Sequence, residues 1–146
     1  LLIALGLSAE SDPAVEAPRL AGAFLSNVVR CNPPANRTPT AGEVSRCAPY
    51  LRAELAQIHP QVLVTLGGVA AAWAFGELLG CKPPAGVRAL HGRTWQAGDM
   101  TLLCLVHPAR ASRQHMAIAD AALRRLLLSP NQPRGASRPV GSAAEG

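Results

Sequence analysis

The chain has 146 residues, of which 49% are hydrophobic and only 3% aromatic, a size that supports one domain with an aliphatic core and excludes two domains of ordinary size. The net charge of +5 comes almost wholly from arginine, since Lys82 is the only lysine. Arginine binds phosphate oxygens well and favours an anionic partner, nucleic acid first, although arginine-rich codon usage would give the same balance.

The first seven residues, LLIALGL, are typical of the end of a helix. They are too short to span a membrane and lack the basic flank and cleavage site of a signal peptide, and no later segment reaches the length of a span. We therefore expect a soluble, cytoplasmic protein. Because the chain starts at Leu1 rather than methionine, we also expect that its N-terminal part, including the first strand of its sheet, lies upstream.

The first strong pattern is a strand followed by a helix. Residues Phe24–Arg30 (FLSNVVR) contain β-branched residues and end in turn formers, which predicts a buried strand. Thr40 and Glu43 have the spacing of a capping box, so a helix should begin there and run to about Ile58. Pro49 predicts either a kink or a helix that begins near Ala48.

A second strand and helix follow directly. Val62–Leu66 (VLVTL) is a short apolar strand, and Gly67-Gly68 opens a predicted helix over Val69–Leu79. The glycine pair is interpreted as a tight turn, because a dinucleotide-binding loop would need a third glycine and an acidic residue further on. Alternation of strand and helix is typical of a parallel sheet with both faces covered.

The second half of the chain shows the same alternation of strands and helices. A short hairpin strand is expected around Arg93–Gln96, a strand over Thr101–Val106 and an amphipathic closing helix over Ala109–Leu128. Residues 129–146 are rich in Pro, Gly, Ser and Ala and are predicted to be a disordered tail. Together the elements predict a three-layer α/β/α domain with a central, mainly parallel sheet.

Two polar residues are predicted to lie at the edge of the sheet where ligands bind. Asn27 falls in the first predicted strand and His107 directly after the last, so both should lie at the edge where open α/β sheets bind ligands. An Asn amide suits the imide edge of a pyrimidine, and a histidine can donate a hydrogen bond to an oxygen that develops negative charge. The alternative for Asn27 is an amide at the strand end that is hydrogen-bonded to neighbouring backbone. The alternative for His107 is a cap on the closing helix.

Cys31 and Cys47 flank the loop before the first helix and could share a metal, for which thiolates favour zinc or an iron–sulfur cluster. Cys104 lies inside an apolar strand and is predicted to be core. Cys81 precedes a Lys-Pro-Pro loop and is not assigned as a ligand.

The remaining histidines and the tryptophans are given structural roles. His91 and His115 have no partners at metal-ligand spacing and are predicted to be surface residues. Trp73 and Trp95 are predicted to be packing anchors rather than platforms for base stacking.

The segment NVVRCNPPANRTPTAGEV, followed by CAPYL, resembles the central motif of the iron–sulfur uracil-DNA glycosylases of families 4 and 5. That motif is a strand ending in Asn-x-x-Lys/Arg-Cys, then Pro-Pro-x-Asn, a Thr-Pro helix start and a second Cys before Pro-aromatic-Leu. VLVTLGGVAA is similar to their next strand and helix, and VHPAR to their histidine motif. The resemblance covers residues 1–128 and favours neither family over the other.

The resemblance implies roles for individual residues. Asn27 corresponds to the uracil-reading asparagine and His107 to the histidine that faces the uracil O2. Cys31 and Cys47 correspond to two of the four ligands of a [4Fe–4S] cluster, whose other two ligands the chain does not contain.

The resemblance also implies contacts to DNA. Arg110 and Arg113 follow the histidine motif and are candidates for contact with backbone phosphate, as is Arg37 in the loop. A solvated helix face is the alternative for Arg110 and Arg113, because the chain lacks the Ser or Asn that some members show here.

The implied function is a monomeric DNA-repair hydrolase that removes uracil from DNA in base excision repair, of which this chain would be an impaired fragment. The alternatives are a nucleic-acid-binding homologue without catalysis and, more remotely, a fragment of a nucleotide-binding oxidoreductase.

Overall fold

The computed structural model describes Leu20 and residues 22–128. The helices are α1 (Ala41–Ile58), α2 (Gly68–Leu79), α3 (Val87–Leu90) and α4 (Arg113–Leu128), and the strands are β1 (Val62–Leu66), β2 (Thr94–Ala97) and β3 (Met100–Leu105). Within these ranges no helix combines the length and apolar character that a membrane span requires. The predicted N-terminal helix end and the predicted tail lie outside the described residues.

The three strands form one sheet with β3 in the centre. β1 lies parallel to β3, with Val64 opposite Leu103, and β2 pairs antiparallel to β3 through a tight turn. The predictions for β1 and for the hairpin strand are confirmed, and α2 also forms where its pattern predicted. The short helix α3 was not predicted, because four residues carry too little periodicity.

Alternation along β3 divides the core between two layers of helices. Leu102 and Cys104 point to one side, where they pack with the buried residues of α1 and α2. Leu103 and Leu105 point to the other side and pack against α4. The α/β class is therefore confirmed, with helices on both faces of a small mixed sheet.

The predicted strand over Phe24–Arg30 is wrong. These residues have no regular secondary structure, and Phe24 and Leu25 are 61% and 69% exposed. A segment rich in β-branched residues has a local preference for extended backbone, but a strand also needs a neighbouring strand with which to pair. Within the part of the chain that the structure describes, the outer edge of β1 carries no paired strand.

Helix α1 begins where its capping box predicted. Thr40 Oγ1 accepts a hydrogen bond from the Glu43 N–H (3.3 Å), and the Glu43 carboxylate accepts one from the Thr40 N–H (2.8 Å). The helix then continues through Pro49, so the alternative start near Ala48 is wrong. A well-capped first turn and the burial of Ala48 and Leu51 offset the hydrogen bond that proline cannot donate.

The capping box predicts a dependence of stability on acid pH. The hydrogen bond from Arg37, followed by that from the Thr40 backbone, lowers the pKa of Glu43 from 4.5 to about 2. A carboxyl with a depressed folded-state pKa stabilises the fold above its unfolded value and loses that contribution as the pH falls towards the folded value. We expect the free energy of unfolding to fall as the pH drops from about 4.5 to about 2.

In Glu43→Gln this part of the acid dependence should be absent, and stability at neutral pH should be lower. Urea unfolding at a series of pH values measures both effects. Arg37→Gln is the matched control, because it removes the largest cause of the depressed pKa and should shrink the same window. An unchanged acid profile in both variants would contradict the assignment.

The closing helix begins later than predicted. Residues Pro108–Arg110 form a short 3-10 turn, and α4 starts only at Arg113. Ser112 accepts a hydrogen bond from the backbone N–H of His115 (3.3 Å) and so caps α4. Val106 follows β3, and residues 107–112 form the loop between β3 and α4 that carries His107.

Candidate active site

His107 lies at the carboxyl edge of the sheet, against the turn that follows β1. The backbone N–H of Gly67, directly after β1, donates to the carbonyl of Leu105 at the end of β3 (2.8 Å). A Cβ atom placed on Gly67 would lie 3.4 Å from the Cβ of His107, so the two residues are in contact. The ends of the two parallel strands thus meet, as the sequence predicted for His107.

The histidine ring has a defined tautomer. Its Nδ1 lies 3.3 Å from the backbone nitrogen of Ala109 and accepts that N–H. A ring nitrogen that accepts carries no proton, so the neutral ring carries its proton on Nε2. His107 therefore caps the 3-10 turn, as the alternative interpretation proposed. A catalytic role remains compatible with this cap, because the cap uses only Nδ1 and leaves the Nε2–H group to donate to a ligand.

Asn27 lies on a segment that is fixed along α1. On one side of it, Ser26 Oγ donates to Glu54 Oε2 (2.6 Å), and on the other, the Arg30 guanidinium pairs with Glu54 Oε1. These contacts lower the pKa of Glu54, with the hydrogen bond from Ser26 as the larger cause. The Asn27 side chain is exposed, and the described residues supply no hydrogen-bond partner for its amide.

The direction of this segment follows from its contacts. Ser26 lies beside Glu54, whereas Arg30 lies beside Cys47, so the segment runs from the C-terminal towards the N-terminal half of α1. Among the described residues, no hydrogen bond joins Asn27 to His107.

The loop that begins at Cys31 lies against α1 near Cys47. The backbone N–H of Arg30 donates to Cys47 Sγ (3.4 Å), which places the adjacent Cys31 beside α1. Both are free thiols, Cys31 exposed and Cys47 partly buried. Within Leu20 and residues 22–128, no group of three or more His, Cys, Asp or Glu is arranged to hold a metal. Cys104 is fully buried, and burial raises the pKa of its thiol, so its predicted place in the core is confirmed.

The three candidate DNA-binding arginines differ in their surroundings. Arg37 makes two hydrogen bonds to the Glu43 carboxylate (2.7 and 2.9 Å) and helps to fix the start of α1. Arg110 lies in the 3-10 turn after His107, and Arg113 is the first residue of α4; both are exposed. Among the described residues, no ion-pair partner of Arg110 or Arg113 is present, whereas Arg37 would have to leave Glu43 to bind phosphate.

Comparison with known proteins decides the family. A family model described as the uracil DNA glycosylase superfamily matches residues 2–128, which is most of the chain and includes Asn27, both loop cysteines and His107. The chain belongs to the uracil DNA glycosylase superfamily. The resemblance inferred from the sequence motifs is thereby confirmed at the level of the superfamily.

Individual relatives of this uracil DNA glycosylase superfamily member are of two types. A type-4 uracil-DNA glycosylase of Pyrobaculum aerophilum is 37% identical over 95 residues, covering 62% of this chain and 47% of the relative. A type-5 uracil-DNA glycosylase of the same organism is 36% identical over 87 residues, covering 59% and 36%. A type-4 uracil-DNA glycosylase of Archaeoglobus fulgidus is 46% identical over 52 residues, covering 36% and 26%. The chain spans less than half the length of these relatives.

Several residues that shape the site were not predicted. Glu54 gave no signal, because its role depends on two residues far away in sequence. The prediction that His91 and His115 are surface residues is wrong: both are partly buried, and both ring nitrogens of His91 are hydrogen-bonded. The packing role of Trp95 is confirmed by its edge-to-face contact with Phe75, with ring centroids 5.0 Å apart, and Trp73 is buried in the same core.

Gly67 offers a direct test of how His107 is held. Its φ of +94° belongs to a region that residues with side chains rarely adopt, and an added Cβ would touch the Cβ of His107 at 3.4 Å. We expect Gly67→Ala to lower the free energy of unfolding by about 1–2 kcal/mol and to shift the His107 ring resonances. Urea unfolding and NMR spectroscopy measure these effects.

Gly68→Ala is the matched control for this substitution. Gly68 is the first residue of α2 and has open space around its Cβ position, so alanine should be neutral or slightly stabilising. Equal effects of the two substitutions would show that the contact between Gly67 and His107 does not position the ring.

Proposed function

We propose that this protein is a uracil-DNA glycosylase, a hydrolase that cleaves the N-glycosidic bond of a flipped-out uracil in DNA base excision repair. The observation that carries the proposal is the His107 ring at the carboxyl edge of the sheet, with Nδ1 occupied by the Ala109 N–H and Nε2–H available as a donor. Membership of the uracil DNA glycosylase superfamily supports it.

The proposed reaction is a hydrolysis at C1′ of the deoxyribose. Uracil leaves the base stack, because its glycosidic bond is not accessible within a duplex. The bond between C1′ and N1 breaks with its electron pair moving into the uracil ring, and the Nε2–H of His107 donates a hydrogen bond to O2, where negative charge develops. The oxygen of a water molecule bonds to C1′, and the proton that it loses passes to solvent or to the departing base.

Asn27 is the proposed reader of the base. Its amide nitrogen would donate to uracil O4 and its amide oxygen would accept from N3–H. Cytosine carries an amino group in place of O4 and an unprotonated N3, so both contacts would be mismatched. The exposed amide of Asn27, on a segment held against α1 by Ser26 and Arg30, supports this role.

The remaining contacts of the proposed complex are electrostatic. Arg110 and Arg113 lie within six residues of His107 and are exposed, so they are suited to the phosphates that flank a flipped nucleotide. Arg37 would act indirectly, by holding the start of α1 through Glu43. The net charge of +5 favours association with DNA and predicts binding that weakens with salt.

Oligonucleotides with one uracil, cytosine or thymine at the same position test the proposal. The protein is incubated with each in single-stranded and duplex form, and abasic sites are detected by strand cleavage in alkali. Cleavage at uracil alone is the expected result. Binding of DNA without any base excision would contradict the enzymatic assignment and favour a non-catalytic, nucleic-acid-binding homologue.

We also propose that Cys31 and Cys47 are two of the four ligands of a [4Fe–4S] cluster. The donor set fits in part: the two thiols flank one loop, and the Arg30 N–H already donates to Cys47 Sγ, as backbone amides do to cluster sulfurs. When bound, the cluster would act structurally by linking this loop to α1. The buried Cys104 is not available as a further ligand.

Reconstitution tests this ligand pair. The protein is incubated with iron and sulfide without oxygen, together with a small thiol that can complete the coordination. Visible charge-transfer absorption should appear in the unsubstituted protein and be lost in Cys31→Ser and Cys47→Ser. Cys81→Ser, at an exposed cysteine after α2, is the control and should keep the colour. Equal colour in all three variants would contradict the assignment.

A further inference from the structure

His91 connects the two ends of the loop that carries His107. Its Nδ1 accepts the backbone N–H of Val106 (3.0 Å), the residue directly before His107. Its Nε2 lies 2.9 Å from the carbonyl oxygen of His115, in the first turn of α4. One ring therefore bridges the chain just before and just after the loop over residues 107–112, and we refer to this arrangement as the His91 bridge.

The two hydrogen bonds require one protonation state. A backbone N–H can only donate, so Nδ1 of His91 must be unprotonated, and a carbonyl can only accept, so Nε2 must carry the proton. The neutral ring with its proton on Nε2 satisfies both partners at once. The ring of His115 stands edge-to-face against it, with centroids 4.8 Å apart, and limits rotation of the bridge.

The residues on either side of His91 are themselves fixed to the core. Leu90 is 1% exposed, and the Gly92 N–H donates to the carbonyl of Cys104 in β3 (2.8 Å). A Cβ on Gly92 would lie only 2.5 Å from the Ile118 side chain, which shows how closely α4 packs on this turn. His91 thus lies in a turn between α3 and β2 that is fixed to the sheet through Gly92.

We propose that His91 is a positioning residue for His107, acting through the backbone of Val106. Its bond to the Val106 N–H fixes the direction in which the chain leaves β3, and hence where the Nε2–H group of His107 points. The bond to His115 anchors the far side of the loop and serves mainly stability. The catalytic part of this inference rests on the proposed glycosylase function, whereas the positional part does not.

A pair of substitutions separates the two bonds. In His91→Asn, the amide oxygen can occupy the position of Nδ1 and still accept from Val106, but the side chain is too short to reach His115. In His91→Gln, the terminal amide can reach His115, but no acceptor remains near Val106. Each variant removes one of the two hydrogen bonds of His91. If His91 served stability alone, the two variants would lose activity in proportion to their loss of stability.

We expect His91→Gln to lower kcat for uracil excision about 10²-fold with little change in KM, because small displacements of a catalytic group have effects of this size. His91→Asn should keep most of the wild-type kcat despite a comparable loss of stability. Single-turnover excision and urea unfolding measure the two quantities. Activity that follows stability in both variants would overturn the proposal.

A second measurement does not depend on activity. The imidazole nitrogen resonances of His107 are recorded by NMR in the wild-type protein and in both variants. They should shift in His91→Gln and stay near their wild-type positions in His91→Asn. Unshifted His107 resonances in His91→Gln would overturn the proposal, whether or not the protein excises uracil. Absence of excision by the wild-type protein, with the resonances shifting as expected, would count against the glycosylase function alone.

Discussion

Replacing His107 by asparagine is expected to lower kcat for uracil excision by about 10²–10³-fold, the usual effect of removing one donor to a developing oxyanion. Stability should hardly change, because the asparagine oxygen can accept the Ala109 N–H in place of Nδ1. The variant therefore removes the Nε2–H donor while it keeps the cap of the 3-10 turn. Single-turnover kinetics and urea unfolding on the same preparation measure the two effects.

His107→Gln is the complementary control. Its terminal amide can place a donor near the position of Nε2, but it cannot cap the turn as the ring does. We expect it to be less stable than His107→Asn and yet more active. The reverse order of activities would show that the cap, and not the donor, is what the reaction needs from His107.

The parts of the fold that could be predicted are those with local causes. The capping box of Thr40 and Glu43 fixed the start of α1 correctly, because both partners lie within one turn of the chain. β1 was predicted to the residue, since four apolar residues and one threonine are bounded by a proline turn and a glycine pair. The strand predicted over Phe24–Arg30 failed because pairing depends on a neighbouring edge, which composition does not reveal.

The same distinction holds for the candidate site. His107 could be proposed from its position after an apolar strand, and the family resemblance added Asn27 and the two loop cysteines. Gly67 and His91, which act on His107 and its loop, could not be found in this way. Gly67 contacts His107, and His91 contacts Val106, across at least 15 residues of sequence, and only the folded chain brings them together.

Less positive charge is available to bind DNA phosphate than the composition of the chain suggests. Four arginines are paired with carboxylates in the described residues: Arg30 with Glu54, Arg37 with Glu43, Arg52 with Glu77, and Arg124 with Asp120. These exposed pairs serve local structure and contribute little to a long-range field. The charge proposed to meet DNA phosphate therefore lies mainly on the arginines beside His107.

The second large effect is expected for the base-reading residue. We predict that Asn27→Asp lowers the preference for uracil over cytosine by about 10²-fold, measured as the ratio of kcat/KM on matched oligonucleotides. Hydrogen bonds that become buried when a base binds discriminate strongly between bases, and this discrimination is lost when one polar group is inverted. Both oxygens of a carboxylate accept hydrogen bonds, so one of them would face uracil O4 without a proton between them.

Cytosine would meet the altered side chain more favourably, because its amino group can donate to the new carboxylate oxygen. Asn32→Asp is the matched control: it makes the same change of charge in the neighbouring loop, where Asn32 donates to Asn36 (2.8 Å) and not to a ligand. If charge alone weakened DNA binding, both variants would lose activity on uracil without a change of preference. A shift towards cytosine in Asn27→Asp alone therefore identifies the amide as the group that reads the base, and an unaltered preference would remove Asn27 from that role.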